Sequence, residues 1–136
     1  MSLDCALCLP APFLWSDARC RVVLVADADY PAFCRVIWHE HVREMTDLDA
    51  ADSAHLMGVV FTVERVLREL LKPMKMNLAS FGNQIPHLHW HVIARFADDA
   101  HFPDPIWATR RRDGVPHAVD ESLLQARLAA ALSGRR

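Results

Sequence analysis

Features that mark membrane and nucleic-acid-binding proteins are missing from this sequence of 136 residues. No stretch approaches the roughly 18 to 20 consecutive apolar residues of a transmembrane helix. The N-terminus also lacks a basic segment followed by an apolar one, as a secretion signal has. The formal net charge is only −2, from 15 basic and 17 acidic residues, so no general attraction to nucleic acid or to an anionic membrane is expected. We therefore expect a cytoplasmic protein that binds neither.

Neither an internal repeat nor a linker divides the chain. The apolar content of 52% is sufficient for a packed core, and the length fits one domain. We therefore predict a single α+β domain over residues 1–136. Its core is placed at about 5–95, and residues 96–136 form a C-terminal extension.

Two helices and several strands are predicted from residue patterns. Aliphatic residues recur at helical spacing over residues 50–71, Asp49 is placed to cap that helix, and Pro73 follows its end. A second helix is predicted from a cap at Asp120 to about Leu132. Strands are predicted from β-branched and aromatic content at residues 13–16, 21–26, 33–39 and 76–80, with a last strand through the histidine-rich segment that follows.

Three histidines, His87, His89 and His91, follow one another at two-residue spacing in that segment. A β-strand sends successive side chains to opposite faces, so the three imidazoles are expected on one face, with Leu88 and Trp90 on the other. Imidazole near neutral pH can act as a base, an acid, a nucleophile or a metal ligand. We therefore predict a functional site on the histidine face and core packing on the opposite face.

Two kinds of chemistry suit such a histidine face. In phosphoryl or nucleotidyl transfer, a neutral imidazole can attack phosphorus while a protonated neighbour offsets the charge of the oxyanion. In metal-assisted hydrolysis, the three imidazoles would together hold a catalytic ion. The residues alone leave both alternatives open.

The segment just before the histidines has the composition of a phosphate-binding loop. Residues 77–84 read Asn-Leu-Ala-Ser-Phe-Gly-Asn-Gln and end three residues before His87. Gly82 allows backbone N–H groups to approach an anion closely, and the amides of Asn83 and Gln84 can donate to phosphate oxygens or to a leaving group. The position of the segment favours a binding loop over an ordinary turn.

The histidine spacing, this loop and the long helix before it together resemble the histidine triad (HIT) superfamily of nucleotide hydrolases and transferases. The signature of that superfamily alternates three histidines with apolar residues, after an upstream Asn and a Gly-Gln loop. The resemblance covers residues 5–95. It implies a HIT-like fold, a five-stranded antiparallel sheet with one long helix, usually in a homodimer; the C-terminal helix predicted above is added to this.

The resemblance also implies roles for the three histidines. His89 would attack the α-phosphorus of a purine nucleotide and form a transient nucleotidyl-imidazole, which water then opens. His91 would bind the same phosphate, and His87 would orient the site through hydrogen bonding. The implied substrate is a dinucleoside polyphosphate, such as diadenosine tetraphosphate, or a nucleoside phosphoramidate. The residues implied to bind it are Asn77 at the phosphate, Ser80, Gly82, Asn83 and Gln84 in the loop, and Asp27 at the ribose.

The chain departs from the family pattern at several positions. Where the family usually shows Gly-Gln, Gln84 stands one place late. Phe33 replaces an upstream family histidine, and Trp38 and His39 replace a Pro-Lys pair, whereas His41 matches the pattern. A nucleotide-binding module without catalysis, which tolerates the altered loop, is therefore an alternative to the enzyme.

Two cysteines and two histidines form a candidate metal site. Cys5 and Cys8, in a Cys-x-x-Cys spacing, together with His41 and His87 supply two thiolates and two imidazoles, a set suited to structural zinc. Several bacterial members of the family are similar in these ligands. A zinc ion held there would fix His87, and with it the strand that carries His89, without activating water. No organic cofactor is expected.

Overall fold

The computed structural model describes residues 4–133 and contains one five-stranded antiparallel sheet with two α-helices. The strands are β1 (Trp15–Ser16), β2 (Cys20–Leu24), β3 (Cys34–Trp38), β4 (Lys75–Ala79) and β5 (His89–Arg95). They lie side by side in the order β1-β2-β3-β5-β4. The helices are α1 (Ala50–Leu71), between β3 and β4, and α2 (Glu121–Leu132), after β5. The predicted α+β fold class is confirmed.

Both helices have the bounds and the caps that the sequence predicts. The Asp49 carboxylate accepts a hydrogen bond from the Asp52 backbone N–H at 2.8 Å, and Asp120 caps α2 in the same way. Such caps satisfy backbone donors that the first helical turn leaves free. Lys72, with a left-handed φ of 49°, ends α1 just before Pro73.

The strands are shorter or shifted by about one residue from the predicted ranges, and one shift concerns the site. β5 begins at His89, so His87 lies just before the strand rather than in it. The cause is a tight turn, because the His87 backbone N–H donates to the Ile85 carbonyl at 2.8 Å instead of pairing across the sheet. His87 can therefore point away from the other two imidazoles.

The main apolar core fills the space between one face of the sheet and the two helices. Leu88, Trp90 and Val92 point to this side, as the alternation of the histidine segment predicts. Helix α1 contributes an aliphatic stripe, and three leucines of α2 complete the same cluster. These α2 residues are Leu124, Leu128 and Leu132. The C-terminal helix is therefore packed into the core that it shares with α1.

Residues 96–119 contain no helix or strand and are held to the body by polar contacts. The Arg112 guanidinium donates to the carbonyls of Asp99 and Phe102, and the Val115 N–H donates to the Asp98 carbonyl at 2.8 Å. Within the described residues, no helix is long and apolar enough to cross a membrane.

Candidate functional site

His89 and His91 open into a pocket on the face of the sheet opposite the main core. Their ring centroids lie 4.9 Å apart, and each side chain is almost fully buried. The pocket has a volume of about 350 Å³. It is lined by Arg35, Phe81, Gly82, Asn83, Gln84, Ile85, His89, His91 and Trp107.

The hydrogen bond of His89 defines which of its nitrogens is free to react. Its Nδ1 lies 2.5 Å from the backbone carbonyl of His87. A carbonyl can only accept, so Nδ1 carries the proton and Nε2 carries the lone pair. Burial lowers the pKa of His89. The hydrogen bond to the His87 carbonyl acts in the opposite direction, and the positive charge of Arg35 lowers the pKa further. The arrangement provides a neutral imidazole with a lone pair available to an electrophile.

His91 is surrounded by aromatic rings. The Phe33 and Trp107 rings lie 5.4 and 5.0 Å from the His91 ring, centroid to centroid, and both meet it edge to face. Burial, with the neighbouring His89 and Arg35, lowers the pKa of His91 to about 4. His91 is therefore neutral near pH 7. The sequence-based expectation of a protonated imidazole next to a neutral one is not met by this geometry.

His87 faces a cluster of two cysteines and a histidine. Its Nδ1 lies 3.4 Å from the Sγ atoms of both Cys5 and Cys8 and 3.2 Å from the Nδ1 of His41, and the Cys8 Sγ lies 3.2 Å from the same His41 nitrogen. In a tetrahedral zinc site, nitrogens are about 3.3 Å apart and sulfur and nitrogen about 3.5 Å apart. These four separations fit a tetrahedral zinc ion, and the ligand atoms of all four predicted residues lie within 4.8 Å of one another.

The second ring nitrogen of His87 also favours a metal site at this cluster. Its Nε2 lies 2.5 Å from the Trp38 carbonyl and must carry the proton. Its Nδ1 is then the deprotonated atom that faces the sulfurs, which is the form of imidazole that binds a metal, with an outer hydrogen bond that orients the ring. Both ring nitrogens of His87 thus have partners other than His89 and His91. Among the described residues, the grouping that could hold a metal joins His87 to the cysteines and His41 and does not include the other two histidines.

The predicted substrate residues divide into two groups. Gly82, Asn83 and Gln84 line the pocket, and Gly82 has the positive φ of 72° that favours glycine. Ser80 does not line the pocket, and its hydroxyl donates to the His89 carbonyl at 2.7 Å. In the structure this serine ties the loop to the strand that carries His89.

Asn77 and Asp27 also lie away from the pocket wall, for different reasons. The Asn77 carboxamide oxygen accepts a hydrogen bond from the Arg95 guanidinium at 2.8 Å, beyond the histidines along the sheet. The Asp27 carboxylate accepts from the backbone N–H groups of Asp29 and Tyr30 and so stabilises its own turn. Both side chains have structural partners in this arrangement.

Four lining residues were not identified as site residues from the sequence, namely Arg35, Phe81, Ile85 and Trp107. Arg35 lies opposite His91 in the β3–β5 pairing, a position that depends on strand register. Trp107 belongs to the irregular segment after β5, and its ring meets that of Phe81 at 5.0 Å. A charged residue inside an apolar strand was the available signal for Arg35, whereas nothing in the local sequence placed Trp107 beside His91.

Comparison with known proteins agrees with this geometry. The family model described as the HIT domain matches residues 8–98, which is more than half of the chain. The chain belongs to the HIT family. A histidine triad protein from Bradyrhizobium japonicum is 30% identical, with a TM-score of 0.69 over 92% of this chain and 90% of the other. One from Marinobacter aquaeolei VT8 is 26% identical, with a TM-score of 0.72 and the same coverage.

Two further HIT family relatives carry descriptive names. A curated protein from Mycobacterium tuberculosis, named AP-4-A phosphorylase, is 31% identical over 78 residues, which are 53% of this HIT chain. The match spans only 40% of the length of that relative. A structure described as a Zn-bound histidine triad family protein from Mycobacterium smegmatis shares the fold, with 22% identity and a TM-score of 0.65 over 96% of this chain and 94% of the other.

Proposed function

We propose that this protein is a nucleotide hydrolase or nucleotidyl transferase that works through a nucleotidyl-His89 intermediate. The observation that carries the proposal is the hydrogen bond from His89 Nδ1 to the His87 carbonyl. It leaves the Nε2 lone pair of His89 as the nucleophile, in a pocket that also holds His91 and the amides of the 82–84 loop. The substrate class is a dinucleoside polyphosphate or a nucleoside phosphoramidate with a purine base.

The reaction has two steps at the same phosphorus atom. In the first, the His89 Nε2 lone pair forms a bond to the α-phosphorus, and the bond from phosphorus to the leaving group breaks, with the electron pair going to the leaving group. A phosphate leaves as an anion, whereas the nitrogen of a phosphoramidate takes up a proton from solvent and leaves as a neutral amine. In the second, water attacks the phosphorus, the bond to Nε2 breaks, and nucleoside monophosphate and a proton are released. His91 and the loop amides of Asn83 and Gln84 orient the phosphoryl oxygens in both steps.

The curated relative supports the substrate class, since its name denotes a protein that acts on AP-4-A. The open volume of about 350 Å³ on the histidine face gives room for part of a nucleotide. We also propose that the chain is a single domain and forms a homodimer in the cytoplasm. Light scattering of the purified protein tests the dimer.

We further propose a structural zinc ion bound by Cys5, Cys8, His41 and His87. Its support is the set of nitrogen and sulfur separations described above and the protonated Nε2 of His87. When bound, zinc would supply a fixed link between the N-terminal turn and the start of the histidine strand. The chemistry at phosphorus would be performed by His89 and the pocket residues.

Intact-protein mass spectrometry tests the nucleophile. Wild-type protein is mixed with a nucleoside phosphoramidate, quenched rapidly without acid, and compared with His89→Ala and with His39→Ala, a histidine outside the pocket, each with and without a chelator. We expect one nucleoside monophosphate adduct on wild type and on His39→Ala, with chelator as well, and none on His89→Ala.

Other outcomes would identify a different function. Turnover that stops with chelator and leaves no adduct would replace the covalent mechanism by a metal-dependent one. AMP binding without turnover or adduct would favour the nucleotide-binding module. In that case His89→Ala would leave the physiological effect of the protein intact.

A further inference from the structure

Arg35 occupies a position on the pocket floor that connects it to both reacting histidines. In the antiparallel pairing of β3 with β5, Arg35 is opposite His91, and Ile37 is opposite His89. Residues directly opposite in an antiparallel pair send their side chains to the same face. The Arg35 guanidinium therefore lines the same pocket as the two imidazoles.

The guanidinium of Arg35 has no acidic partner. Its Nε is buried without a hydrogen-bond acceptor, and none of the ion pairs formed within residues 4–133 involves Arg35. By contrast, Arg95 donates to a buried carboxylate. Arg21 also has an unpaired Nε, but its Nη2 donates to the carbonyls of Leu7 and Leu9. Arg35 is half-buried, and a partly desolvated charge without a partner is unfavourable, so an anion would stabilise this side chain.

The pocket lining offers no acidic side chain to neutralise Arg35. The lining contains aromatic, amide, aliphatic and imidazole side chains and no Asp or Glu. Arg35 is the only Lys or Arg side chain among these lining residues. The permanent positive charge of the lining therefore lies on the β3 side of the histidines.

The sheet order separates this charge from the loop. Because β5 lies between β3 and β4, the histidines stand between Arg35 on one side and the loop that follows β4 on the other. A phosphoryl group at His89 within reach of the Asn83 and Gln84 amides therefore leaves Arg35 available for a second anionic group. Guanidinium groups suit this role because they bind phosphate oxygens with paired N–H donors.

We propose that Arg35 binds a phosphate of the leaving group, next to the phosphorus that His89 attacks, and so selects phosphoanhydride substrates over phosphoramidates. This inference rests on the proposed function, since it assumes that the nucleotide phosphate lies at His89. The leaving group of a phosphoanhydride is a phosphate that carries negative charge, whereas an amine leaving group carries none. A cation at this position therefore favours phosphoanhydride substrates and gives no advantage to phosphoramidates.

Nucleotide binding measured by calorimetry tests the proposal without requiring turnover. AMP and the non-hydrolysable α,β-methylene ADP are titrated into wild type, Arg35→Gln, Arg35→Lys and the control Arg65→Gln, an exposed arginine on α1. We expect wild type and the control to bind the ADP analogue about 10- to 100-fold more tightly than AMP. Arg35→Gln should lose this gain and keep its AMP affinity, and Arg35→Lys should retain part of the gain.

Two results would overturn the inference. In the first, Arg35→Gln loses affinity for AMP and for the ADP analogue equally, which would place Arg35 at the α-phosphate. In the second, Arg35→Gln still binds the ADP analogue more tightly than AMP by the wild-type factor, which would assign the second phosphate to another group. If Arg35→Gln fails to fold, Arg35→Lys is compared with wild type instead. A preference for the ADP analogue over AMP that is equal in Arg35→Lys and wild type would contradict a bidentate guanidinium contact. Failure of the His89 adduct is a separate outcome, since adduct formation does not need Arg35.

Discussion

The Arg95 guanidinium and the Asp99 carboxylate form an ion pair, Nε to Oδ2 at 2.8 Å, in which the two side chains are 2% and 1% exposed. Asp99 also accepts hydrogen bonds from the backbone N–H groups of Phe96, His101 and Phe102. The pair therefore joins the end of β5 to the irregular segment that carries Trp107. It fixes the path of residues 96–107 over the edge of the pocket.

We expect Asp99→Asn to lower the free energy of unfolding by about 3 kcal/mol, because it leaves the buried Arg95 charge without its partner. Urea unfolding at pH 7 measures the change. Asp113→Asn is the matched control, since Asp113 is exposed, and it should change stability by less than about 0.5 kcal/mol. Equal stabilities of Asp99→Asn and the control would show that the ion pair does not stabilise the fold.

The same carboxylate makes stability depend on pH in the acidic range. Burial by itself raises the pKa of Asp99, but the Arg95 guanidinium and the three backbone N–H groups outweigh it and hold the pKa well below the usual range. A depressed pKa in the folded state means that the stabilisation is complete above about pH 4, the unfolded value, and is lost as the pH falls toward the folded value.

Thermal unfolding measured between pH 7 and pH 2 should show this loss for the wild type. In Asp99→Asn the melting temperature should fall less steeply over the same range, since the titrating group is absent. Asp113→Asn should follow the wild-type curve. A wild-type slope that persists in Asp99→Asn would assign the acid sensitivity to other carboxylates.

The four-residue cluster around His87 predicts zinc in the purified protein. Atomic emission should find about one zinc per chain in wild type and in Cys34→Ala, a buried cysteine outside the cluster, and much less in Cys8→Ser. Chelation should lower the melting temperature, because removal of a structural ion destabilises the fold it links. A full zinc content in Cys8→Ser would exclude this ligand set.

Trp107 should contribute to binding more than to stability. It is 51% exposed, yet its ring packs against His91 and Phe81 at the pocket wall. We expect Trp107→Ala to weaken AMP binding about three- to tenfold and to change the unfolding free energy by about 0.5 kcal/mol. Phe61→Ala, on α1 with a similar exposure of 49%, is the control and should leave binding unchanged. Equal AMP affinities for all three proteins would remove Trp107 from the binding surface.

The elements that the sequence predicts correctly are those with local causes. Helix α1 follows from its aliphatic spacing and its Asp49 cap, and the opposite faces of His89 and Trp90 follow from the alternation of a strand. The four cysteine and histidine ligands were grouped from their chemistry together with the family pattern, and the structure brings them together.

The parts that could not be predicted depend on contacts between distant segments. The place of Arg35 beside His91 requires the register of β3 against β5, which no local pattern determines. The Asn77 amide is engaged by Arg95, 18 residues later, so its assignment to the phosphate did not anticipate a competing partner. Trp107 reaches the pocket along a segment that the contacts of Asp99, Asp104 and Arg112 hold in place.

Strand β5, which carries His89 and His91, is fastened at both ends. At its start, His87 is held by the Trp38 carbonyl and the cysteine cluster, and at its end, Arg95 is held by Asp99 and Asn77. The 82–84 loop and the half-exposed Trp107 have no comparable anchoring on their pocket side. Substitutions in the loop and at position 107 can therefore reshape the pocket wall, while His89 and His91 stay on a fixed support.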